Sequence, residues 1–258
     1  MGPEVGSNGR IQNTVFRARE IGDRLSTMKW SYGAVAFIDV LGFSSFVEAD
    51  ARSVEPARLL KLKGLLAGVK SDSPELDVRA FSDSIIISAP LESAAVAKLI
   101  NATMDLQSRF VSGGVLVRGG IAFGKHYGDE TLIYSEALIR AYQLERDRAR
   151  FPRILVANDL LDWYFHHQET KPADVDAVKA VLLADRDNSV FIDYLDAESI
   201  ESHLHVVNTY NVENATPSVL EKIQWLCQYH NFAAERVCSP HVYAGAMLSG
   251  FQQLVIKP

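Results

Sequence analysis

Cysteine is scarce in this sequence: Cys227 and Cys238 are the two thiols among 258 residues, and no Cys-x-x-Cys pair is present. This scarcity argues against a disulfide framework and a cysteine-based metal site, and two free thiols are typical of the reducing cytoplasm. No apolar run approaches the ~18 residues that cross a membrane. Residues 1–13 are polar and glycine-rich, without the apolar stretch of a signal peptide. The expected location is therefore the cytoplasm.

Positive charge is also in short supply. The sequence has 26 Lys and Arg against 32 Asp and Glu, a formal net charge of −6. A general nucleic-acid binder would carry a basic stripe, so that class of protein is disfavoured and no nucleic-acid partner is expected. A small polyanionic ligand is compatible with this balance, because the local charge around a site matters more than the total.

The hydrophobic pattern predicts an α+β fold. Residues 33–39 form a continuous apolar run that ends in an acid, which is typical of a strand buried on both faces. The other predicted elements are helices over 58–69, 91–110 and 134–150, and strands over 76–81, 84–89, 115–123 and 153–157. This order predicts a ferredoxin-like mixed sheet with helices on one face.

Three segments are expected along the chain. Residues 1–28 have weak periodicity and are predicted to form an N-terminal tail. Residues 29–165 are predicted to form the core, and residues 166–258 a helical extension that packs on it. Within the extension, the acidic stretch 174–187 is predicted to be helical and residues 190–195 to form a strand.

Asp39 and Asp83 stand out by their surroundings. Asp39 ends the first predicted strand, and Asp83 lies where two predicted strands join as a tight hairpin. In a ferredoxin-like sheet the first strand lies beside that hairpin, which brings the two carboxylates together. Carboxylates in one site repel each other unless a cation lies between them, and oxygen ligands without His or Cys favour Mg²⁺ or Mn²⁺. The alternative is that each acid is a strand-end or turn residue that faces water.

Four motifs resemble those of the class III nucleotidyl cyclases, in the order that the family has them. They are Phe-Ile-Asp-Val-Leu-Gly-Phe at 37–43, Phe-Ser-Asp-Ser at 81–84, Arg-Gly-Gly-Ile-Ala-Phe-Gly at 118–124, and the segment 134–145. The first two are similar to the family's metal motifs, and the likeness covers about residues 33–158. It implies a cyclase core and a homodimer with composite active sites at the subunit interface. Two Mg²⁺ or Mn²⁺ ions per site would activate the 3′-hydroxyl of a nucleoside triphosphate and clamp its phosphates.

The resemblance implies metal binding at Asp39, Val40 and Asp83. The expected substrate-binding residues are Gly42, Phe43, Arg79, Arg118, Lys125 and Tyr134. Arg140 is expected to act in catalysis by neutralising charge in the transition state, since a planar guanidinium binds two phosphate oxygens at once. A buried ion pair for Arg118 and a solvated position for Lys125 are the alternatives.

Several positions depart from the family pattern. Arg79 stands where purine cyclases have a base-selecting Lys or Glu. If no bulge intervenes, the two-residue period places Arg79 on one strand face with Asp83. Leu132, near the second base-selecting position, cannot hydrogen-bond a base. Ile139 and Gln143 occupy the positions of an Asn and an Arg that the family offers to the triphosphate. The chain has therefore either lost catalysis or has a substrate pocket built from other residues than the family's. The intact pair of acids favours the altered pocket.

Three further segments resemble the bacterial pyrimidine cyclases of the Pycsar antiphage systems, which make cyclic UMP or cyclic CMP as a signal for a separately encoded effector protein. They are Tyr-Gln-Leu-Glu at 142–145, Pro-Arg-Ile at 152–154, and residues 225–231. The guanidinium of Arg79 donates hydrogen bonds and accepts none, which favours UTP over CTP. Alternatively, Arg79 is a strand residue paired with Asp77 or Glu75. A cytidylate cyclase, an adenylate or guanylate cyclase and a catalytically dead cyclase-like sensor are the other readings.

Overall fold

Eight strands form one sheet in the computed structural model, which describes residues 30–210 and 215–245. The strands are β1 (Ser31–Val40), β2 (Asp77–Phe81), β3 (Ser84–Pro90), β4 (Val117–Gly128), β5 (Ile133–Ser135), β6 (Ile154–Val156), β7 (Leu182–Ala184) and β8 (Val190–Ile192). The helices are α1 (Phe43–Ala51), α2 (Ala57–Asp72), α3 (Ser93–Ser112), α4 (Glu136–Arg148), α5 (Asn158–His166), α6 (Pro172–Ala180), α7 (Ile200–Thr209) and α8 (Pro217–Arg236). None of these helices combines the length and apolar character that crossing a bilayer requires. The predicted tail, residues 1–28, lies outside the described residues.

The strand order across the sheet is β2-β3-β1-β4-β6-β8-β7, and β5 pairs with β4. β1 is antiparallel to both β3 and β4, and β2 is antiparallel to β3. Helices lie between β1 and β2 and between β3 and β4 in the sequence, so this is the ferredoxin-like arrangement that the pattern predicts. β6 adds parallel to β4, which makes the sheet mixed, and the predicted fold class is confirmed.

Helices cover both faces of the sheet. On one face, Ala36 and Ile38 of β1 are fully buried in an apolar cluster that includes Leu99 of α3 and residues of α2. The prediction that the helices lie on one face of the sheet therefore holds for α2 and α3 but not for α4. Helix α4 lies on the opposite face, where the ring centroids of Tyr142 and Phe37 are 5.4 Å apart. Phe37 and Ile38 point to opposite faces because strand side chains alternate.

Glycines on β4 let α4 pack close to the sheet. A Cβ atom on Gly120 would lie 2.5 Å from the carbonyl oxygen of Ala141 and 3.1 Å from the backbone nitrogen of Glu145. A Cβ atom on Gly124 would lie 3.0 Å from the backbone nitrogen of Ala137. The buried positions of α4 are Ala137, Ala141 and Glu145, four residues apart, so the helix presents two small side chains and one acid to the sheet.

The sheet continues into the predicted extension. β8 pairs with β6 and β7 pairs with β8, so residues after 165 lengthen the same sheet. Helix α8 buries Trp225, Leu226 and Tyr229, and the ring of Phe191 on β8 contacts the rings of Trp225 and Tyr229. This second apolar cluster also includes residues of α7.

The helix predicted over 174–187 is wrong in its second half. α6 ends at Ala180, and Leu182–Ala184 forms β7 because these residues pair with Val190–Ile192. Pairing at the sheet edge overrides the helical pattern of this short stretch. The strand predicted over 190–195 is confirmed at Val190–Ile192.

Candidate functional site

The end of β1 places Asp39 between two neighbouring strands. Asp39 lies opposite Ser84 of β3 and opposite Arg118 of β4. The next residue, Val40, donates its backbone N–H to the carbonyl oxygen of Asp83 at 2.9 Å. The structure therefore brings Asp39 and Asp83 to the same end of the sheet, as the order of the elements predicts.

Asp83 lies in a two-residue turn. Phe81, the last residue of β2, pairs with Ser84, the first residue of β3, and Ser82 between them has a φ of 55°, in the left-handed region. The tight hairpin predicted at this point is confirmed. Because the alternation of β2 ends at Phe81, the expectation that Arg79 and Asp83 share one face of a continuous strand is wrong.

Arg118 is shared between two carboxylates. Its Nε–H donates to Oδ2 of Asp39 at 3.1 Å, and the same Nε lies 2.7 Å from Oε1 of Glu145 on α4. Nε carries one hydrogen and serves one acceptor, so Oε1 of Glu145 has no hydrogen-bond partner among the described residues. Glu145 is 3% exposed, and this burial raises the pKa of its carboxyl group, an effect that Arg118 opposes.

Glu145 is not among the predicted site residues, although the sequence contains a signal for it. Ala141 is an apolar residue within the helix predicted over 134–150, and Glu145 follows Ala141 by four residues. Residues four apart lie on the same face of a helix. An acid at a core-facing position is unusual unless it has a partner, and here the partner is Arg118.

Arg79 is held by acceptors close to it. Its Nε lies 3.1 Å and 2.9 Å from the two carboxylate oxygens of Asp77, and its Nη1 donates to the backbone carbonyl of Asp129. The pairing with Asp77 is the alternative that the sequence leaves open. Arg79 lies opposite Ile86, which lies opposite Phe37, so Arg79 shares the face of the sheet on which α4 packs.

Lys125 and Tyr134 lie toward the other end of the sheet from Asp39. Lys125 is opposite Tyr32, and the seven residue steps along β1 from Tyr32 to Asp39 correspond to roughly 23 Å. The Nζ of Lys125 lies 4.2 Å from the centroid of the Tyr32 ring. Tyr134 is exposed on β5, with its ring centroid 5.9 Å from that of Trp30. Within one chain, these two side chains and the acids do not form one site.

Arg140 is engaged away from the acids. Its Nη1 donates to the carbonyl oxygen of Phe123 at 2.8 Å, and its Nη2 pairs with Asp159. Arg140 thus links α4 to β4 and α5, and the structure does not bring it to Asp39. Ile139 and Gln143, the departures from the family pattern on this helix, are exposed.

The residues after Asp39 turn the chain into α1. Val40 has a buried side chain, so only its backbone is available to a ligand. Gly42 caps α1 with a φ of 76°, where an L side chain is strained. Phe43 packs against the core and, with Leu59 and Leu62, lines a cavity of about 540 Å³ next to α2.

The donor set at the end of β1 fits a hard divalent cation. Asp39 and Asp83 offer carboxylate oxygens, and Mg²⁺ is commonly held by one or two carboxylates together with substrate phosphates. In the part of the chain that the structure describes, no three His, Cys, Asp or Glu side chains form a group that could hold a metal ion. The fit therefore rests on these two carboxylates, and the phosphates of a substrate would add further oxygen ligands.

No protein-family model matches this chain, and no curated protein matches it. Among solved structures, the chain is similar to the catalytic core of a rhodopsin-guanylyl cyclase with converted specificity in complex with ATPαS, with 12% identity, 63% of this chain and 95% of that chain covered, and a TM-score of 0.44. It is also similar to the guanylate cyclase domain of RhGC from Catenaria anguillulae in complex with GTP (12% identity, 63% and 93% covered, TM-score 0.41). A third similar structure is a class III adenylyl cyclase-like ATP-binding protein from Pseudomonas aeruginosa (13% identity, 67% and 40% covered, TM-score 0.41).

Proposed function

We propose that this chain is a class III nucleotidyl cyclase that converts a nucleoside triphosphate into a 3′,5′-cyclic monophosphate and pyrophosphate. The observation that carries the proposal is the placement of Asp39 and Asp83 at one end of a ferredoxin-like sheet, with Arg118 opposite Asp39. Two carboxylates and a guanidinium suit a substrate that arrives as a triphosphate with divalent cations. In the reaction, the 3′-oxygen loses its proton and bonds to the α-phosphorus, while the bond from that phosphorus to pyrophosphate breaks.

The position of each residue at the site determines the role that we assign to it. Asp39 and Asp83, with the backbone of Val40, would hold two Mg²⁺ or Mn²⁺ ions. Such ions, when bound, make the attacking hydroxyl more acidic and neutralise charge on the triphosphate. Arg118 would offer its planar guanidinium to phosphate oxygens. Its second carboxylate partner, Glu145, keeps it at the site.

The proposal includes a homodimer with composite active sites. Lys125 lies roughly 23 Å along the strand from the level of Asp39, and Tyr134 lies on the same distant hairpin, so they can serve the same substrate only when a second chain supplies them. Exposed aromatic side chains at Trp30 and Tyr134 support an interface near these residues, because interfaces are enriched in aromatic rings. In this arrangement, Lys125 contacts phosphate and Tyr134 packs on the base.

We assign UTP as the substrate and cyclic UMP as the product, with CTP as the alternative pyrimidine. Asp77 and Asp129 use part of the donor capacity of Arg79, whose Nη1 and Nη2 each carry two hydrogens. The hydrogens that remain can donate to the two carbonyl oxygens of uracil. The cyclic product would act on a separate effector protein in a cytoplasmic antiphage response, as the resemblance to the Pycsar cyclases implies.

A nucleotide-binding sensor without catalysis is the second candidate. The observation that favours it lies on α4, where Ile139 and Gln143 offer no cation to a triphosphate and Arg140 is bound to Phe123 and Asp159. A sensor of this kind would bind nucleotide and release it unchanged. The retained acids favour the enzyme, because a binding protein does not require two carboxylates at the phosphates.

Replacing Asp39 with asparagine tests the proposal. Asp39→Asn should abolish cyclisation of labelled nucleoside triphosphates in Mn²⁺, because the amide cannot hold the cation as a carboxylate does. Asp176→Asn, an exposed acid on α6, is the matched control and should keep full activity. Full activity of Asp39→Asn with an unchanged fold would contradict the two-acid site. Nucleotide binding by the wild-type protein without turnover would support the sensor instead.

A further inference from the structure

The buried acid Glu145 and the proposed metal ligand Asp39 contact the same residue, Arg118. The Nε atom of Arg118 lies 3.1 Å from Oδ2 of Asp39 and 2.7 Å from Oε1 of Glu145. The hydrogen bond goes to Asp39, so Glu145 is paired with Arg118 by charge and lacks the hydrogen bond at Oε1. A buried carboxylate oxygen without a hydrogen bond costs free energy. Because Oε1 of Glu145 lies next to Arg118, a second state in which this oxygen accepts the Nε–H of Arg118 would remove that cost.

Arg118 and a divalent cation compete for Asp39. In the structure, the guanidinium neutralises the Asp39 carboxylate. A cation that binds Asp39 replaces this neutralising charge and repels the guanidinium. Because Nε is already within hydrogen-bond distance of Glu145, a small rotation about the side-chain bonds of Arg118 redirects its N–H from one carboxylate to the other.

We infer that Glu145 is a positioning residue, which receives the Nε–H of Arg118 when a divalent cation occupies Asp39. In this way, Glu145 draws Arg118 off the metal ligand and still keeps the guanidinium at the site, where the phosphates arrive. The inference rests on the proposed function, because it requires a cation at Asp39. The close packing of α4 over Gly120 is what brings Glu145 within reach of β4.

Calorimetric titration of the 258-residue chain with Mn²⁺ alone tests the inference without any turnover. Glu145→Gln keeps the size of the side chain and removes its charge, so Arg118 should stay on Asp39 and Mn²⁺ should bind about tenfold more weakly. Asp147→Asn removes the same charge from an exposed position two residues along α4, where the partner is Arg146. This control should bind Mn²⁺ as the wild type does, within about twofold.

A second pair of variants separates a role through Arg118 from a direct effect of the Glu145 charge. In an Arg118→Gln background, Glu145→Gln should change the Mn²⁺ affinity by less than about twofold, because the residue that Glu145 positions is gone. An equal loss of affinity in both backgrounds, or wild-type affinity in Glu145→Gln, would overturn the inference while leaving the cyclase proposal intact. If the wild type binds Mn²⁺ no better than Asp39→Asn does, the metal site and the inference fail together.

Discussion

Replacing Gly120 with alanine should push helix α4 away from the sheet. The new Cβ atom would lie 2.5 Å from the carbonyl oxygen of Ala141, 3.0 Å from Cβ of Leu144 and 3.1 Å from the backbone nitrogen of Glu145. Two of these three atoms belong to the backbone of α4, so rotation of a side chain cannot relieve the contact. Overpacking of this kind costs about 1–3 kcal/mol, and we expect a loss of about 2 kcal/mol in the free energy of unfolding.

The matched control is Gly64→Ala. Gly64 lies within α2, and a Cβ atom there would meet nothing within 4 Å. Alanine is the better helix former by about 0.8–1.0 kcal/mol, so the same chemical change should stabilise the protein at this position. Urea denaturation with linear extrapolation measures both variants. If Gly120→Ala is as stable as the wild type, α4 does not lie on β4 as closely as the structure places it.

Further expectations concern buried charges in the C-terminal part. Arg153→Met should cost about 3 kcal/mol in urea denaturation, because fully buried Arg153 pairs with Asp185 and Asp187. Arg150→Met, which breaks an exposed pair, should cost less than about 1 kcal/mol, and equal losses would contradict the burial of Arg153. Burial, and to a lesser extent the neighbouring His230, lower the pKa of His203 to about 3 in the native state. As the pH falls, His203 is therefore protonated first in the unfolded chain, where its pKa is about 6.5. Between about pH 6.5 and pH 3, this group should therefore lower the stability by about 1.4 kcal/mol for each pH unit. His203→Gln should remove that slope, whereas His205→Gln, at an exposed position, should not.

The position of the acids could be predicted because it depends on neighbouring elements. The apolar run before Asp39 marks a strand buried on both faces, and Asp83 lies in the turn of the hairpin that follows. In a ferredoxin-like sheet that hairpin pairs with the first strand, so the order of elements alone places the two acids at one end. The hydrogen bond from Val40 to Asp83 agrees with that prediction.

The contacts of the arginines could not be predicted, because they depend on how closely the elements approach in space. Arg118 reaches Glu145 only because Gly120 allows α4 to lie on β4. The spacing of apolar residues in α4 does not predict which face of the sheet the helix covers. Arg140 has Asp159 as its partner, which requires α5 to lie beside α4. Arg79 had two open interpretations from sequence, and its pairing with Asp77 became visible only with side-chain positions.

Incubation of the purified protein with each of the four nucleoside triphosphates and Mn²⁺, followed by identification of the products, tests the cyclase proposal most directly. We expect a 3′,5′-cyclic nucleotide and an equal amount of pyrophosphate, with UTP converted faster than ATP or GTP and with no product from Asp39→Asn. Faster conversion of ATP or GTP would contradict the pyrimidine assignment while leaving the cyclase intact. No cyclic product from any of the four, in a protein that binds nucleotide, would contradict the proposed function itself.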